Sequence, residues 1–275
     1  MDTQDLSERL GARLNLPALP RALKRLQALL ADPEVSLAEA GARIGEDPAL
    51  TARLLRTVNS ALYGLSADVL LPAHAASIVG LRGLENLMRR VPLRREYAVA
   101  GVDVREVWRH SLLTARVCSR MRSETKACPE FDAEELHVFG LLHDLGELAL
   151  LEGMGADWAA LLGEAPGDGA RREALERERF GISHGHLGAM LVKRWSLAED
   201  LVRVTRFHHN ERGVAEADPL AAFVLVAEAV AEAAVHGAAR LQAIPAGSLK
   251  LLEVSKDALE ELHEYAGGEL DEILV

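Results

Sequence analysis

Apolar positions recur with a helical period along the whole chain. Pro17 and Pro20 open a stretch in which Leu23, Leu26, Leu29 and Leu30 share one face, and Asp32-Pro33 closes it. Ser36 with Glu39 reads as a capping box for a short helix that ends near Gly45. Asp47-Pro48 places an N-cap before a proline at the first helical position. Leu50, Leu54, Val58 and Leu62 then repeat every four residues up to Gly64. Pro72 starts a turn that runs to Gly80, and a further helix covers Leu84 to Arg90 ahead of Pro92. Beyond Asp103 the period continues over Val107–Met121 and Glu134–Leu151, the latter predicted as one unbroken helix. Residues 152–170 are rich in Gly and Ala and predict a loop or a broken helix. Helices are predicted again at 171–179, 184–195 and 198–210. Asp218-Pro219 caps one that ends near Gly237, and one or two more lie after Ser248. No strand, repeat or low-complexity block interrupts this pattern. The expected fold is all-α, with a helical lobe over 1–99 and a second over 100–275.

Composition sharpens that reading. The 275 residues can bury a large core, and 49% apolar with 27% charged is globular, not disordered. Aromatics are only 4%, which disfavours a strand-built core. Net charge is 31 − 42 = −11, poorly suited to nonspecific grip on nucleic acid or an anionic membrane. Its distribution supports the division at residue 100. Residues 1–99 carry 13 basic and 11 acidic side chains, net +2, and residues 100–275 carry 18 and 31, net −13. A basic run of Arg82, Arg89, Arg90, Arg94 and Arg95 precedes the change. Cys118 and Cys128 form no CxxC pair, and the first residues, MDTQDLSERL, are charged; a reduced, cytoplasmic protein is expected. No membrane span is expected, because the longest apolar stretch, Leu220–Val230, is interrupted by Glu228.

Seven of the ten histidines lie between His110 and His209. His143-Asp144 sits in the apolar run GLLHDLGELALL, where an imidazole and a carboxylate must be satisfied on burial. A divalent cation does this well, since nitrogen and oxygen ligands suit Fe, Mn and Zn. His110, His184, His208 and His209 could supply further nitrogens, and Glu228, alone in FVLVAEAVAE, a further oxygen. Such a set could hold one or two ions, and two ions could activate water for phosphoester hydrolysis. A buried polar network without metal satisfies the same side chains equally well. His186 falls out of phase with His184, and His74, His137, His236 and His263 are expected in surface or packing roles. The two helices over 36–61 could form a helix-turn-helix that presents Thr51, Arg53, Arg56 and Asn59, but the weak positive charge there disfavours nucleic acid as a partner. No GxxxxGK[ST], GxGxxG or GxSxG occurs.

These residues come in a familiar order. Leu16-Pro17, Leu19-Pro20, Asp47-Pro48-Ala49-Leu50, Leu54-Leu55 and Asn59-Ser60-Ala61-Leu62-Tyr63-Gly64 are followed by Ile78-Val79-Gly80-Leu81 and Val107-Trp108-Arg109-His110-Ser111. Gly140-Leu141-Leu142-His143-Asp144, Glu178, Phe180-Gly181, His184, Leu187-Gly188-Ala189, Trp195 and His208-His209 complete the set. Over about residues 14–212 the chain resembles the HDOD domain, the HD-related output domain of bacterial signalling proteins. The resemblance implies an HDOD-like helical fold whose second lobe is related to HD and HD-GYP metal phosphohydrolases. It implies metal positions at His110, His143, Asp144, His184, His208, His209 and Glu228, for one or two ions of Fe, Mn, Zn or Mg. It also implies a regulatory module that binds a signalling protein, with a metal or nucleotide held in the HD-like lobe. Any catalysis would fall to His143 and Asp144. Two departures weigh against hydrolysis: Glu147 stands where HDxG is usually followed by lysine, and NERGVAEAD after His209 lacks Gly-Tyr-Pro. A carboxylate at Glu147, one turn from His143, is expected to oppose a phosphate. The alternatives are a working metal phosphohydrolase and a DNA-binding regulator.

Overall fold

The computed structural model describes residues 16–32, 34–91, 98–99, 102–209, 213 and 217–273. Arg94, Arg95, the 100–101 boundary and most of the segment after His209 lie outside them.

The first helices are α1 (Pro20–Leu30), α2 (Leu37–Ile44), α3 (Pro48–Val58) and α4 (Pro72–Arg89). Their starts follow from the caps: Ser36 Oγ accepts from Glu39 N–H, and Asp47 accepts from Leu50 N–H. Gly80, at φ 71° and ψ 169°, breaks α4 into the two segments that the sequence predicted. A short antiparallel pair follows, β1 (Ala98–Val99) with β2 (Val102–Asp103), which periodicity did not predict because it is only two residues long per strand.

The remaining helices are α5 (Arg105–Met121), α6 (Ala133–Leu142), α7 (Leu145–Met154), α8 (Ala156–Glu164), α9 (Gly169–Phe180), α10 (His184–Arg194), α11 (Glu199–Phe207), α12 (Pro219–His236), α13 (Ala246–Leu252) and α14 (Lys256–Glu272), with a 3₁₀ turn over Ala238–Ala243. The continuous helix expected over Glu134–Leu151 is two helices, broken at His143-Asp144. Asp144, at φ −100° and ψ 26°, leaves the helical region. Residues 152–170 are a broken helix: Gly155, at φ 55°, separates α7 from α8.

Helix α12 is the axis of the second group. It packs on α5, α11 and α14, while α10 crosses α7 and α11. By length and composition α12 could cross a membrane, with mean hydropathy 1.6, but 72% of it is buried by the helices around it. A single apolar cluster runs from Leu16 to Ile273 and joins both groups of helices. His137, expected in a surface or packing role, bridges them: its Nε2 lies 3.0 Å from Gly45 O.

Asp47 ties α1 to α3. It is buried and accepts from Leu50 N–H at 2.9 Å and Leu19 N–H at 3.2 Å. Asp47→Ala leaves both donors unsatisfied and is expected to cost about 2 kcal/mol, roughly 4–8 °C in melting temperature. Burial raises the Asp47 pKa to about 6 from the ordinary 3.8. The folded state therefore binds this proton more tightly than the unfolded chain. Its contribution to stability grows as pH falls from about 6 to about 4 and is lost as pH rises again. Wild type is therefore expected to gain stability relative to Asp47→Asn as pH falls through that window, and melting curves of both proteins at each pH check it.

Candidate metal centre

The break at His143-Asp144 builds the site. Asp144 stands at the N-cap of α7 yet caps nothing with its side chain. Both of its oxygens turn instead to imidazoles. Oδ2 lies 3.1 Å from His143 Nε2 and 3.3 Å from His110 Nε2. Oδ1 lies 3.1 Å from His208 Nε2 and 3.5 Å from His184 Nε2. The four rings come from α5, the α6–α7 break, the start of α10 and the end of α11. His110 and His143 also approach each other, Nε2 to Nε2, at 3.3 Å.

Each ring is oriented from behind through Nδ1. His143 Nδ1 lies 2.7 Å from Gly140 O, and His208 Nδ1 3.1 Å from Thr205 O. His184 Nδ1 lies 2.8 Å from Glu176 Oε2, and His110 Nδ1 3.0 Å from Glu232 Oε1. With the ring proton donated at Nδ1, all four Nε2 atoms present lone pairs toward Asp144, the outer-shell arrangement that suits metal ligation. With that tautomer both Asp144 oxygens and His208 Nε2 are buried without a hydrogen-bond partner among the described residues, whereas a proton on Nε2 would let His208, His143 or His110 donate to Asp144. Acceptors facing acceptors in a buried site are satisfied by a bound cation or by protons on the rings, and the convergence of five nitrogens on one carboxylate suits the cation. Two groups of ligand atoms result, sharing Asp144: His110 and His143 on Oδ2, and His184 and His208 on Oδ1 with His209 grouped beside them. Nitrogen-rich surroundings fit Fe, Mn or Zn better than Mg, which prefers oxygen.

His209 and Glu228 complete the cluster. His209 Nε2 lies 2.9 Å from His184 Nε2, and its Nδ1 lies 3.4 Å from Glu228 Oε1. Glu228 also groups with His143 and His208. Burial raises the Glu228 pKa to about 8, whereas burial and the neighbouring His208 and His184 push His209 well below its usual range. Burial opposes charge on His184, yet Glu176 lifts its pKa to about 10. Against the same burial, Glu232 and Asp144 raise His110. The field at these two rings favours positive charge.

All seven residues expected as ligands therefore meet in one place. The expectation for Glu147 is corrected. Its carboxylate is not free: its Oε1 accepts from Arg172 Nε at 2.5 Å and lies 3.9 Å from His184 Nδ1. Both partners are buried, so Arg172 cancels the charge that was expected to repel a phosphate. Sequence reasoning also missed Glu176, which accepts from His184 N–H at 2.6 Å and from Trp158 Nε1–H at 2.7 Å. It missed Glu232 behind His110 as well. The available signal was α9 itself: Arg172, Glu173 and Glu176 fall on one helical face and are all buried. His236 lies beside Glu232 at 3.3 Å, and His186 and His74 are exposed.

The helix-turn-helix expectation fares differently. Thr51 is fully buried, and Asn59 spends its amide on Val69, accepting from its N–H at 2.8 Å and donating to its carbonyl at 2.9 Å. Helix α3 is buried along most of its length, and of the four residues expected to be presented only Arg56 is exposed.

Known proteins share this architecture. An uncharacterized protein of Treponema pallidum (strain Nichols) is 29% identical over 209 residues; the match takes in 76% of this chain and 40% of that protein, so the chain spans less than half its length. The MmoQ response regulator of Methylococcus capsulatus str. Bath superposes with a TM-score of 0.75 at 24% identity, over 90% of this chain and 98% of that one. A putative phosphohydrolase of Shewanella amazonensis SB2B gives a TM-score of 0.52 at 24% identity, over 98% of both. The HDOD domain profile matches residues 16–211, which include every histidine of the cluster and Asp144, and on that match the chain belongs to the HDOD domain family.

Proposed function

We propose that the chain is a cytoplasmic regulatory module of signal transduction that acts by binding a protein partner, with one or two divalent ions held by the His/Asp cluster and no robust catalysis. The observation that carries this reading is the closure of the cluster. His143, Asp144, His184 and His208 are each at most 1% exposed. A phosphodiesterase must admit both a phosphate and an attacking water. The cavity that reaches the cluster, about 210 Å³ beside His110, is ringed by Asp103, Glu106, Glu147 and Glu232 against Arg109 and Arg172. Each acid at this mouth is already engaged, Glu106 with Arg109, Glu147 with Arg172, Asp103 with Arg105 and Glu232 with His110 and His236, so none of the cations there is left free to receive a phosphate. One structural relative is a response regulator, which fits a signalling role.

A second reading, a metal-dependent phosphohydrolase, is favoured by the bipartite ligand set around Asp144 and by the likeness to the Shewanella putative phosphohydrolase. The experiment that separates them is an assay of wild type with Mn or Fe against bis-nitrophenyl phosphate and cyclic dinucleotides, beside His143→Ala/Asp144→Ala. Metal content is measured on the same samples. Bound metal with turnover no greater than the double mutant is the expected result. Robust metal-dependent turnover that the double mutant lacks would establish the enzyme.

A further inference from the structure

A second cavity, of about 320 Å³, lies between α3 and the C-terminal end of α10 and shares no lining residue with the one beside His110. Its walls include Arg53, Arg56, Thr57, Ser60 and Trp195. The Arg56 guanidinium sits over the Trp195 ring, 5.2 Å from its centroid, which fixes its position. Arg194 stands close enough that its charge, after burial, depresses the Arg56 pKa; burial and then Arg56 do the same to Arg53.

Two arginines one helical turn apart in a chain of net charge −11 should find carboxylates. Elsewhere they do: Arg43 pairs with Glu46, Arg116 with Glu269, Arg177 with Glu173 and Arg203 with Asp200. Among the described residues no carboxylate pairs with Arg53, Arg56 or Arg194. Arg53 reaches only a backbone oxygen, that of Arg90, at 3.2 Å. Trp195 adds a further donor. It is 5% exposed, and its buried indole Nε1–H has no acceptor. The hydroxyls already give their protons away, Thr57 to Arg53 O and Ser60 to Thr57 O. The cavity thus sets two guanidinium groups with no carboxylate partner among the described residues beside a buried indole N–H without an acceptor, a donor set suited to an anionic ligand.

We propose that this cavity binds the phosphate group of a small ligand, with Arg53 and Arg56, which line it, as the phosphate contacts. Guanidinium forks match phosphate oxygens, and the volume accommodates a mononucleotide. The phosphate can come free or as part of a nucleotide, and the test separates the two. The proposal does not rest on the metal centre, whose ligands are other residues.

Calorimetric titration of the full chain with inorganic phosphate, AMP and GMP is the experiment, followed by tryptophan fluorescence. Arg56 is exposed and Arg53 half-buried, so Arg56→Glu and Arg53→Glu should fold, which melting curves check. Loss of one charge-assisted contact is expected to weaken binding by at least about tenfold, and Arg56→Lys by less. Asp144→Ala should bind as wild type does. A nucleotide bound more tightly than phosphate identifies the nucleotide as the source; equal affinities identify free phosphate. Affinity unchanged in both glutamate variants would overturn the site. So would no binding of any probe at about 10 mM, a concentration that detects contacts worth under 3 kcal/mol. Arginine-dependent binding of duplex DNA without binding of the small phosphates would overturn it in favour of a nucleic-acid surface.

Discussion

Asp144→Ala is expected to strip the protein of divalent metal and to remove the stabilisation that added metal confers. Asp144 is the carboxylate that both ligand groups share, and four Nε2 atoms lie within 3.5 Å of its oxygens. Without it, an ion on either side meets neutral imidazoles in a buried site and loses the anion that offsets its charge. Outer-shell changes around such ligands typically cost about 10–100-fold in affinity; removal of the shared carboxylate should exceed that. Glu232→Gln, which touches only His110 Nδ1 in the cluster, is the graded comparison and should fall within that range. The measurement is metal content after dialysis, with melting curves recorded before and after addition of Mn, Fe or Zn. A metal at about 100 times its dissociation constant should raise stability by about 2.7 kcal/mol in wild type and leave Asp144→Ala unmoved. If the variant retained metal and its thermal shift, the cluster would be a polar network and the ions would bind elsewhere.

Much of this site could be read from the chain because its parts carry local signatures. His143-Asp144 stood out as an ionisable pair in an unbroken apolar run, and Glu228 as a lone acid in another. The helix starts were legible for a related reason: Asp47-Pro48 and Asp218-Pro219 state the cap and the first-turn geometry in two residues. The break between α6 and α7 was not legible. The leucine period runs straight through it, and only tertiary demand turns Asp144 out of the helix and toward four imidazoles. Glu147 was misread for the same reason. Its place one turn after His143 suggested a shared face, but its real partner, Arg172, lies 25 residues on in a helix whose charged sequence, ARREALERERF, reads as solvated. The residues that orient the rings from behind, Glu176 and Glu232, act through contacts between helices, and no spacing rule along one helix reports those.

Gly146→Ala is expected to destabilise the protein by at least about 3 kcal/mol, against the sign that helix propensity alone would give. Alanine in an otherwise unconstrained helix position gains about 1 kcal/mol over glycine. Gly146, however, lies where α7 crosses α10. A Cβ there would stand 1.9 Å from His184 O and 2.6 Å from its carbonyl carbon, both backbone atoms that no rotamer change can move. Gly188 on the facing helix is equally confined: a Cβ on it would lie 3.0 Å from Gly146 N and 2.5 Å from Thr205 Cγ2. The two helices meet backbone to backbone, and a methyl must push them apart. His184 opens α10 and carries one of the four ring nitrogens, so the displacement moves a ligand as well as the packing. Metal affinity should therefore fall along with stability, although no ligand has been changed. Gly268→Ala in α14 supplies the contrast, since a Cβ there meets nothing within 4 Å and should stabilise by up to about 1 kcal/mol. Urea denaturation of both variants reads the two signs directly. A Gly146→Ala protein as stable as wild type, with unchanged metal binding, would mean that α7 and α10 do not approach as closely as their backbones indicate.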